Sequence, residues 1–440
     1  MHLAARGAQR GGAASGARGN KRRQVARSRR QQRLLPAMMG ETALLSGLGL
    51  SGSASGLRIA SLEAAPLVAP LREPFTIASA RLDAVHNVAV RLELSDGAVG
   101  YGEVACLPPV TAEDAPGALA AVRLAARALV GECVVEWSKA VGRLGVALPG
   151  AAYASSRAGV ECALLDALAK HKGIPLREAF GGKATSLRTD ITVPICAPEL
   201  AQSLAEDYAR RGFGMLKTKT GGRARGGGIA SGSLASEEDV RADVERVLAI
   251  RRGAPGSRLL VDANCGWTGA QAAQFLALLN AEGVQLALLE QPTPRGDLKE
   301  LKEARGACQR HGVLLAVDED VRNYEDARRI IEGDFADVLN LKLAKCGVVD
   351  ALKTVALAQG AGKGLMLGGM VETRLAMGFA ATLAAGTGAF EYIDLDTPLL
   401  LAKDPIARGG VDYAASAPDV WDVSYAGAGH GMRPKVFDST

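Results

Sequence analysis

The sequence predicts an α/β protein, a modified (β/α)8 TIM barrel preceded by an α+β capping domain. Short apolar runs recur along the second half of the chain, and each ends in a charged residue. Asp262, Glu290, Asp318 and Lys342 follow one another at intervals of 28, 28 and 24 residues. One strand, one helix and two loops occupy about that length. Before these runs, an alternating pattern gives way to helical periodicity, which is typical of a smaller α+β domain.

Residues 1–56 predict a leader in front of the folded domains. Up to position 57 the chain has nine arginines and Lys21 against a single acid, Glu41. Its apolar stretch at 44–50 is interrupted by serine and glycine, and it is too short to span a membrane. This composition is typical of a transit peptide, so we expect a plastid (chloroplast) or mitochondrial location. A disordered extension of a cytoplasmic protein is the alternative.

The composition of the rest of the chain excludes several classes of protein. Without the leader, the chain has a small net negative charge, so we expect neither nucleic acid nor a membrane as a partner. The seven cysteines are scattered and form no C-x-x-C pair, which argues against a structural zinc site or a disulfide framework. We expect a small-molecule substrate and a homo-oligomer.

Residues 57–185 predict the capping domain. The segment VHNVAVRLELSDGAVGYGEV alternates like two strands joined by a turn at Ser95-Asp96-Gly97. Residues 112–185 then change to helical periodicity, and Gly173 and Pro175 end the last long helix.

Residues 186–400 predict the barrel, and residues 401–440 predict a tail that packs back on the capping domain. Eight strands are expected, as closure of the barrel requires, at 189–195, 215–220, 258–264, 287–292, 314–319, 338–344, 364–369 and 391–397. The Gly-, Ser- and Arg-rich stretch at about 221–237 predicts a flexible insertion in a surface loop, with an active-site lid as the alternative.

Three lysines at strand ends predict the acid/base groups. Side chains alternate along a strand, so Lys217 and Lys219 point to the same side, the barrel interior at its catalytic end. Burial and mutual repulsion would lower the pKa of both, toward the range of a general base. Lys342 ends the sixth strand, across the barrel mouth from Lys219. The alternative is that these lysines are ordinary surface charges.

Three acids at the ends of successive strands predict a metal site. Asp262, Glu290 and Asp318 would converge, and three carboxylates repel one another unless they take up protons or hold a cation. Oxygen-only ligation favours Mg²⁺ or Mn²⁺ over zinc. A base on each side of a metal-anchored carboxylate substrate predicts proton transfer from one face of its α-carbon to the other.

The order of these motifs resembles the enolase superfamily, muconate-lactonising-enzyme subgroup, over roughly residues 57–405. The motifs are KTK, VDAN, LEQP, VDED and NLKLAKCG, with GYGEV and ALLDALAKHKGIPL in the first domain. The resemblance implies Mg²⁺ on the three acids and an acid/base pair of Lys219 and Lys342. It also implies that Lys217 and Asn264 support the substrate carboxylate and the metal site.

The last strand indicates the substrate class. In YIDLDTP, Asp394 and Asp396 face the same side, where two carboxylates would bind a cationic group such as an amino terminus. This D-x-D before proline, together with MVET at 370–373, is similar to the dipeptide epimerases of the L-Ala-D/L-Glu type. Thr192 matches a substrate contact of that family. The resemblance implies an isomerase that converts dipeptides such as L-Ala-L-Glu to L-Ala-D-Glu by two-lysine 1,1-proton transfer.

One candidate substrate contact and several alternative functions complete the prediction. Arg81 lies in the capping-domain loop that reads the second side chain, one position after Ala80, which aligns with the family's arginine. An o-succinylbenzoate synthase and a cycloisomerase use the same lysines and metal, but their substrates have no ammonium group for Asp394 and Asp396. A catalytically inactive barrel that serves as a binding protein is a further alternative.

Overall fold

The computed structural model describes residues 56–77, 80–220, 234–407 and 409–438, without the side chains of 74–81. The predicted leader, up to residue 55, and most of the predicted insertion lie outside these ranges. Within them, no helix is both long enough and apolar enough to cross a membrane.

The strands of the described ranges belong to three sheets. They are β1 Ile59–Ile77, β2 Ala80–Leu94, β3 Val99–Val104, β4 Ser186–Arg188, β5 Ile191–Val193, β6 Met215–Lys219, β7 Arg258–Asp262, β8 Leu288–Glu290, β9 Leu314–Val317, β10 Val338–Leu341, β11 Gly364–Gly368, β12 Tyr392–Asp394, β13 Asp412–Ala414 and β14 Ala417–Asp422. The α-helices are α1 Ala115–Leu129, α2 Trp137–Ala147, α3 Ala154–His171, α4 Leu176–Ala179, α5 Pro198–Arg210, α6 Glu237–Gly253, α7 Gly269–Ala281, α8 Leu298–Arg310, α9 Tyr324–Gly333, α10 Leu343–Ala361 and α11 Arg374–Thr387.

The capping domain is an antiparallel sheet of β1, β2 and β3 covered by α1 and α3, and α2 packs against these two helices. The turn at 95–98 joins β2 to β3 as predicted, and Leu92 pairs with Gly100. The long strand β1 was not predicted separately. Its prolines are tolerated because β1 is the edge strand of its sheet, next to β2, with an isolated bridge from Leu71 to Leu401 on its other side.

Helix α3 packs directly on β3 because the strand has glycine, and the helix has glycine or alanine, where the two elements meet. A Cβ added at Gly102 would meet the carbonyl oxygen of Gly159, and one at Gly100 would meet the backbone of Ala163 and Ala167. The close approach requires glycine at these two strand positions for steric reasons.

We expect Gly102→Ala to lower the free energy of unfolding by about 1–3 kcal/mol or more, because the backbone of α3 has to move. Thermal and denaturant unfolding measure the change. Gly145→Ala is the matched control, since Gly145 lies exposed in α2 and an added Cβ there has no neighbour within 4 Å. The control should raise stability by about 0.5–1 kcal/mol. Equal effects of both substitutions would contradict the packing argument.

Two buried acids of the capping domain bind the first turns of barrel helices. Glu103 accepts hydrogen bonds from the backbone N–H of Thr373 at 3.0 Å and of Ala376 at 3.1 Å, at the start of α11. Gly347, with φ of 75°, interrupts α10, and Glu161 of α3 accepts from the N–H groups of Val348 and Val349, which begin the turn after this break, at 2.6 and 3.2 Å. These contacts fix the capping domain over the barrel, because helix N-termini favour negative charge.

Strands β5 to β12 form one parallel sheet in chain order, each followed by a helix except the last. The first and last strands meet through the Asp190 N–H, which donates to the Ile393 carbonyl at 2.9 Å, and the Leu395 N–H, which donates to Thr189 Oγ1 at 2.9 Å. The sheet is therefore a nearly closed eight-stranded barrel. The predicted fold class is confirmed, and each strand lies within its predicted range.

The chain after the barrel contacts both domains. Strand β14 pairs with β4, next to the first barrel strand. The Leu176 N–H of the capping domain donates to the Gly429 carbonyl at 2.9 Å, and the His430 N–H donates to Asp166 of α3 at 2.9 Å.

The end of the predicted insertion is ordered. Ser236 caps α6 by accepting from the Asp239 N–H, and the side chain of Asp239 accepts from the Ser236 N–H in return. Ala235 is buried, and its N–H donates to the Gly266 carbonyl at 2.8 Å. The predicted boundary at 237 therefore extends too far, because the capping motif already belongs to the helix.

Candidate active site

The site rests on an apolar layer across the barrel interior. That layer contains six fully buried residues from six strands: Leu260, Leu288, Ala316, Val338, Met366 and Tyr392. Because strand side chains alternate, the next inward-facing residues lie two positions further on, toward the carboxyl ends. They include Asp262, Glu290, Asp318, Asn340 and Asp394, all buried. A polar layer at the carboxyl ends of the strands therefore lies on an apolar layer, which is the arrangement of a barrel active site.

The two predicted base lysines lie on opposite sides of the three predicted metal ligands. Lys219 forms an ion pair with Asp262, and Lys342 forms one with Asp318 at 2.7 Å. Glu290 lies between these acids in strand order and is in register with Asp262. All five residues that the sequence selected for the chemistry therefore lie at the carboxyl ends of neighbouring strands, β6 to β10. Among the described residues, the acids that converge within 4.8 Å are a different set, Asp190, Asp394 and Asp396.

Lys217 lies at the centre of the site and is fully buried. Its Nζ contacts acids from three strands: Glu290 at 2.7 Å, Asp394 at 2.8 Å and Asp262 at 3.3 Å. The expected lowering of its pKa is wrong. Burial alone disfavours the ammonium, but the three carboxylates outweigh it and raise the pKa of Lys217 well above the ordinary value.

The other charges of the site follow the same balance. Burial opposes the ammonium of Lys342, yet Asp318 raises the pKa of this lysine. Burial likewise opposes the carboxylates, but Lys219 and Lys217 lower the pKa of Asp262 to about 2. Glu290 has fewer cationic contacts, and burial raises its pKa. Lys217 and Lys342 are therefore charged partners of the acids that contact them.

The loops after β7 and β8 have strained backbone. Asn264, Cys265 and Gln291 have φ values of 42°, 65° and 34°, in the left-handed region that disfavours residues with a Cβ. At Asn264 this turn directs the N–H to Asp262 Oδ1 at 3.0 Å, which orients the carboxylate. The side chain of Asn264 donates to Glu319 at 3.4 Å.

Sequence reasoning missed two side chains that hold the predicted metal ligands. Lys345, in the first turn of α10, contacts the carboxylate of Asp318 and donates to its carbonyl at 2.5 Å. Asn340 donates to Glu290 Oε1 at 2.7 Å. The sequence signal for both was present, since NLKLAK places Asn340, Lys342 and Lys345 around the end of one strand.

A second group of acids lies where the first and last strands meet. One oxygen each from Asp190, Asp394 and Asp396 lies within 4.8 Å of the others, and all three residues are buried. The backbone N–H of Thr192 donates to Asp396 at 2.7 Å, so this predicted contact acts here through its backbone. Sequence reasoning missed Asp190. Among the described residues, no other set of three or more acidic, histidine or cysteine side chains converges within 4.8 Å.

The chain after the barrel fixes the backbone between Asp394 and Asp396. The Leu395 carbonyl accepts from Tyr413 Oη at 2.5 Å and from Trp421 Nε1 at 3.1 Å. Both donors belong to β13 and β14, which pair with each other. The short D-x-D segment is therefore held from outside the barrel.

A cavity of about 490 Å³ lies between the capping domain and the barrel mouth. Its lining includes 109–113 and the start of α3 on one side, and Arg322, Lys345 and Met370 on the other. Because Lys345 also contacts Asp318, the cavity adjoins the acids and lysines of the site. The side chain of Arg81 lies outside the described residues.

The fold and the site define a (β/α)8 barrel protein with paired acids and lysines at the strand ends, under a capping domain. Residues 185–435 match the family described as enolase C-terminal domain-like. Residues 61–181 match the N-terminal domain of mandelate racemase / muconate lactonizing enzyme. The chain therefore belongs to the mandelate racemase / muconate lactonizing enzyme group of the enolase superfamily.

Three relatives show what this chain is similar to. An L-Ala-D/L-amino acid epimerase of Populus trichocarpa is 46% identical over 78% of this chain and 78% of its own. An aromatic dipeptide epimerase of Herpetosiphon aurantiacus is 39% identical over 85% and 98%. The structure of a dipeptide epimerase from Enterococcus faecalis, complexed with Mg and L-Leu-L-Tyr, is 28% identical, has a TM-score of 0.75 and covers 85% and 99%.

Proposed function

We propose that this dipeptide epimerase inverts the α-carbon of the C-terminal residue of dipeptides that begin with L-alanine, L-Ala-L-Glu among them. The observation that supports this proposal most directly is the placement of Lys219 and Lys342 on opposite sides of three buried acids. The relatives act on dipeptides, and the Populus trichocarpa enzyme is named for L-Ala-D/L-amino acids. The substrate of an o-succinylbenzoate synthase or a cycloisomerase of this superfamily has no cationic group that could lie beside Asp394 and Asp396.

The residues fit a divalent cation. Asp262, Glu290 and Asp318 offer only oxygen donors, which suits Mg²⁺ or Mn²⁺. Glu290 Oε2 is buried and accepts no hydrogen bond, although Lys217 Nζ lies 2.7 Å from it, so it retains capacity for a ligand. The E. faecalis relative was solved with Mg. When bound, the cation would stabilise the negative charge that develops on the substrate carboxylate after the α-proton leaves.

The lysines would carry the proton. One lysine, as the neutral amine, removes the α-proton from its face of the substrate, and the other, as the ammonium, returns a proton to the opposite face. Lys342 is buried and Lys219 is nearly so, which keeps water away from the transfer. Lys217 is fully buried between Glu290 and Asp394, a central position that suits it to bind the substrate carboxylate.

The spacing of the two acid groups fits a dipeptide. Lys217 Nζ lies within hydrogen-bond distance of both Glu290 and Asp394. Lys217 thus bridges the two groups of acids, because its Nζ lies 2.7 Å from Glu290, a proposed metal ligand, and 2.8 Å from Asp394, a proposed ligand of the amino terminus. Two residues of extended chain span about 7 Å, which is enough to reach from one group to the other. The adjoining cavity offers space for a side chain of the dipeptide.

A library of L-Ala-L-X dipeptides, incubated with the protein and Mg²⁺ in heavy water, tests the proposal. We expect uptake of one deuteron at the α-carbon of X, read as a mass shift, and formation of L-Ala-D-X. The order of rates across X gives the preferred second residue. Failure of every dipeptide to exchange, with the protein folded and Mg²⁺ present, would contradict the proposed activity.

We further propose that the leader is a transit peptide of a plastid or mitochondrial enzyme and that the chain forms a homo-oligomer. The plant origin of one relative and the arginine-rich leader support the first point. Removing residues 1–55 should leave deuterium exchange unchanged within about twofold, because the site is built from residues after 185. A large loss of exchange after truncation would show that the leader belongs to the enzyme itself.

A further inference from the structure

Asp190 is a buried acid whose side chain has no hydrogen-bond donor. It is 0% exposed, and neither of its carboxyl oxygens has a partner among the described residues. It comes directly before β5 and two residues before Thr192, so both side chains point into the barrel. One of its oxygens converges with those of Asp394 and Asp396. A buried carboxylate without a partner is strongly unfavourable, so this position calls for a ligand.

The charges around the three acids are unbalanced. Among the described residues, Lys217 is the one cation in contact with the group, through Asp394 at 2.8 Å. That ammonium is already shared with Glu290 and Asp262. Burial and the carboxylates of Asp394 and Asp396 raise the pKa of Asp190 well above its ordinary value, so its ionised form is unfavourable without a cationic ligand.

The spacing of the oxygens fits an ammonium group. One oxygen of each acid lies within 4.8 Å of the other two, so a single cationic nitrogen can lie within about 2.8 Å of all three, the length of a charge-assisted N–H···O bond. A primary ammonium has three N–H donors, one for each carboxyl group.

We infer that Asp190 is the third acceptor of an ammonium site formed with Asp394 and Asp396, and that this site selects dipeptides with an unsubstituted primary amino terminus. The inference rests on the proposed function and narrows its substrate class. An N-methylated terminus has only two N–H donors and an N-acylated one has a single donor without charge, so each leaves a buried carboxyl group unpaired.

The wild-type protein alone can test this inference. Deuterium exchange is compared for L-Ala-L-X and N-methyl-L-Ala-L-X with the same second residue. We expect kcat/KM to be about 10–100-fold lower for the N-methyl dipeptide, because one hydrogen bond to a charged group is lost. Equal values would overturn the inference and leave the epimerase proposal standing. Absence of exchange from every dipeptide would overturn both.

Asp190→Leu distinguishes hydrogen bonding from steric exclusion of the methyl group. Leucine is similar in size to aspartate but accepts no hydrogen bond, so the ratio between the two substrates should fall to within about threefold. The loss should appear mainly as a higher KM for L-Ala-L-X, because Asp190 contacts neither base lysine. Asp190→Asn keeps an acceptor and should give an intermediate ratio. An unchanged ratio in Asp190→Leu would show steric exclusion and overturn the inference.

Discussion

Replacing Lys219 or Lys342 with alanine is expected to lower kcat for dipeptide epimerisation by about 10³–10⁴-fold. Each lysine pairs with an acid at one edge of the proposed metal site, so each is placed for one face of the α-carbon. Epimerisation requires a base on one face and an acid on the other, and loss of either group stops the inversion. The rate of epimerisation, measured from each epimer of the preferred dipeptide, gives the size of the effect.

Proton exchange should separate the two lysines. With one lysine removed, the other still takes the α-proton from its own face and returns a deuteron there. The two alanine variants should therefore lose deuterium exchange from opposite epimers. Arginine at either position should be as inactive as alanine, because a guanidinium is not deprotonated in proteins.

Lys302→Ala, at an exposed position of α8, is the matched control and should retain full activity. A variant of Lys219 or Lys342 that interconverts the epimers at the wild-type rate would contradict the two-base mechanism. Loss of the same epimer in both variants would contradict their placement on opposite faces.

The barrel and its reactive residues were predictable because they recur at strand ends. A repeated strand–helix unit brings each such residue to the same end of the barrel, so Asp262, Glu290 and Asp318 needed no knowledge of tertiary contacts. The edge strand β1 was less visible, since its prolines interrupt the alternation that identifies a strand. Only its pairing with β2 shows that this position tolerates them.

The features that sequence reasoning missed depend on closure of the barrel and on contacts between side chains of different strands. Asp190 stands alone before a short strand, and only contact between the first and last strands places it beside Asp394. The raised pKa of Lys217 could not be predicted either. Repulsion between neighbouring lysines is visible in the sequence, whereas the contacts that Lys217 makes with carboxylates from three other strands are not.

Removing divalent cations with a chelator is expected to abolish epimerisation, and Mg²⁺ or Mn²⁺ should restore it. The three acids would otherwise face the negative charge that develops on the substrate carboxylate, which is strongly unfavourable in a buried site. Activity is measured before chelation, after it and after each cation is added back. Full activity after complete chelation would contradict a metal-dependent reaction.

Glu290→Gln separates cation binding from the structural role of this acid. Glutamine has nearly the same shape and still accepts from Asn340, but it removes the charge at Oε2. We expect activity to fall by at least about 100-fold. Mg²⁺ should raise the melting temperature of the wild type, because a ligand of the native state stabilises it, and should raise that of the variant much less.

Comparing each protein with and without Mg²⁺ removes the effect of the lost ion pair with Lys217, since that loss is common to both measurements of the variant. Glu391→Gln, at an exposed acid before β12 and so at the opposite end of the barrel, should keep the full wild-type shift. An equal rise in melting temperature for Glu290→Gln and the wild type would place the cation elsewhere. The acids at the carboxyl ends of β7, β8 and β9 would then need protons or lysines alone to balance their charge.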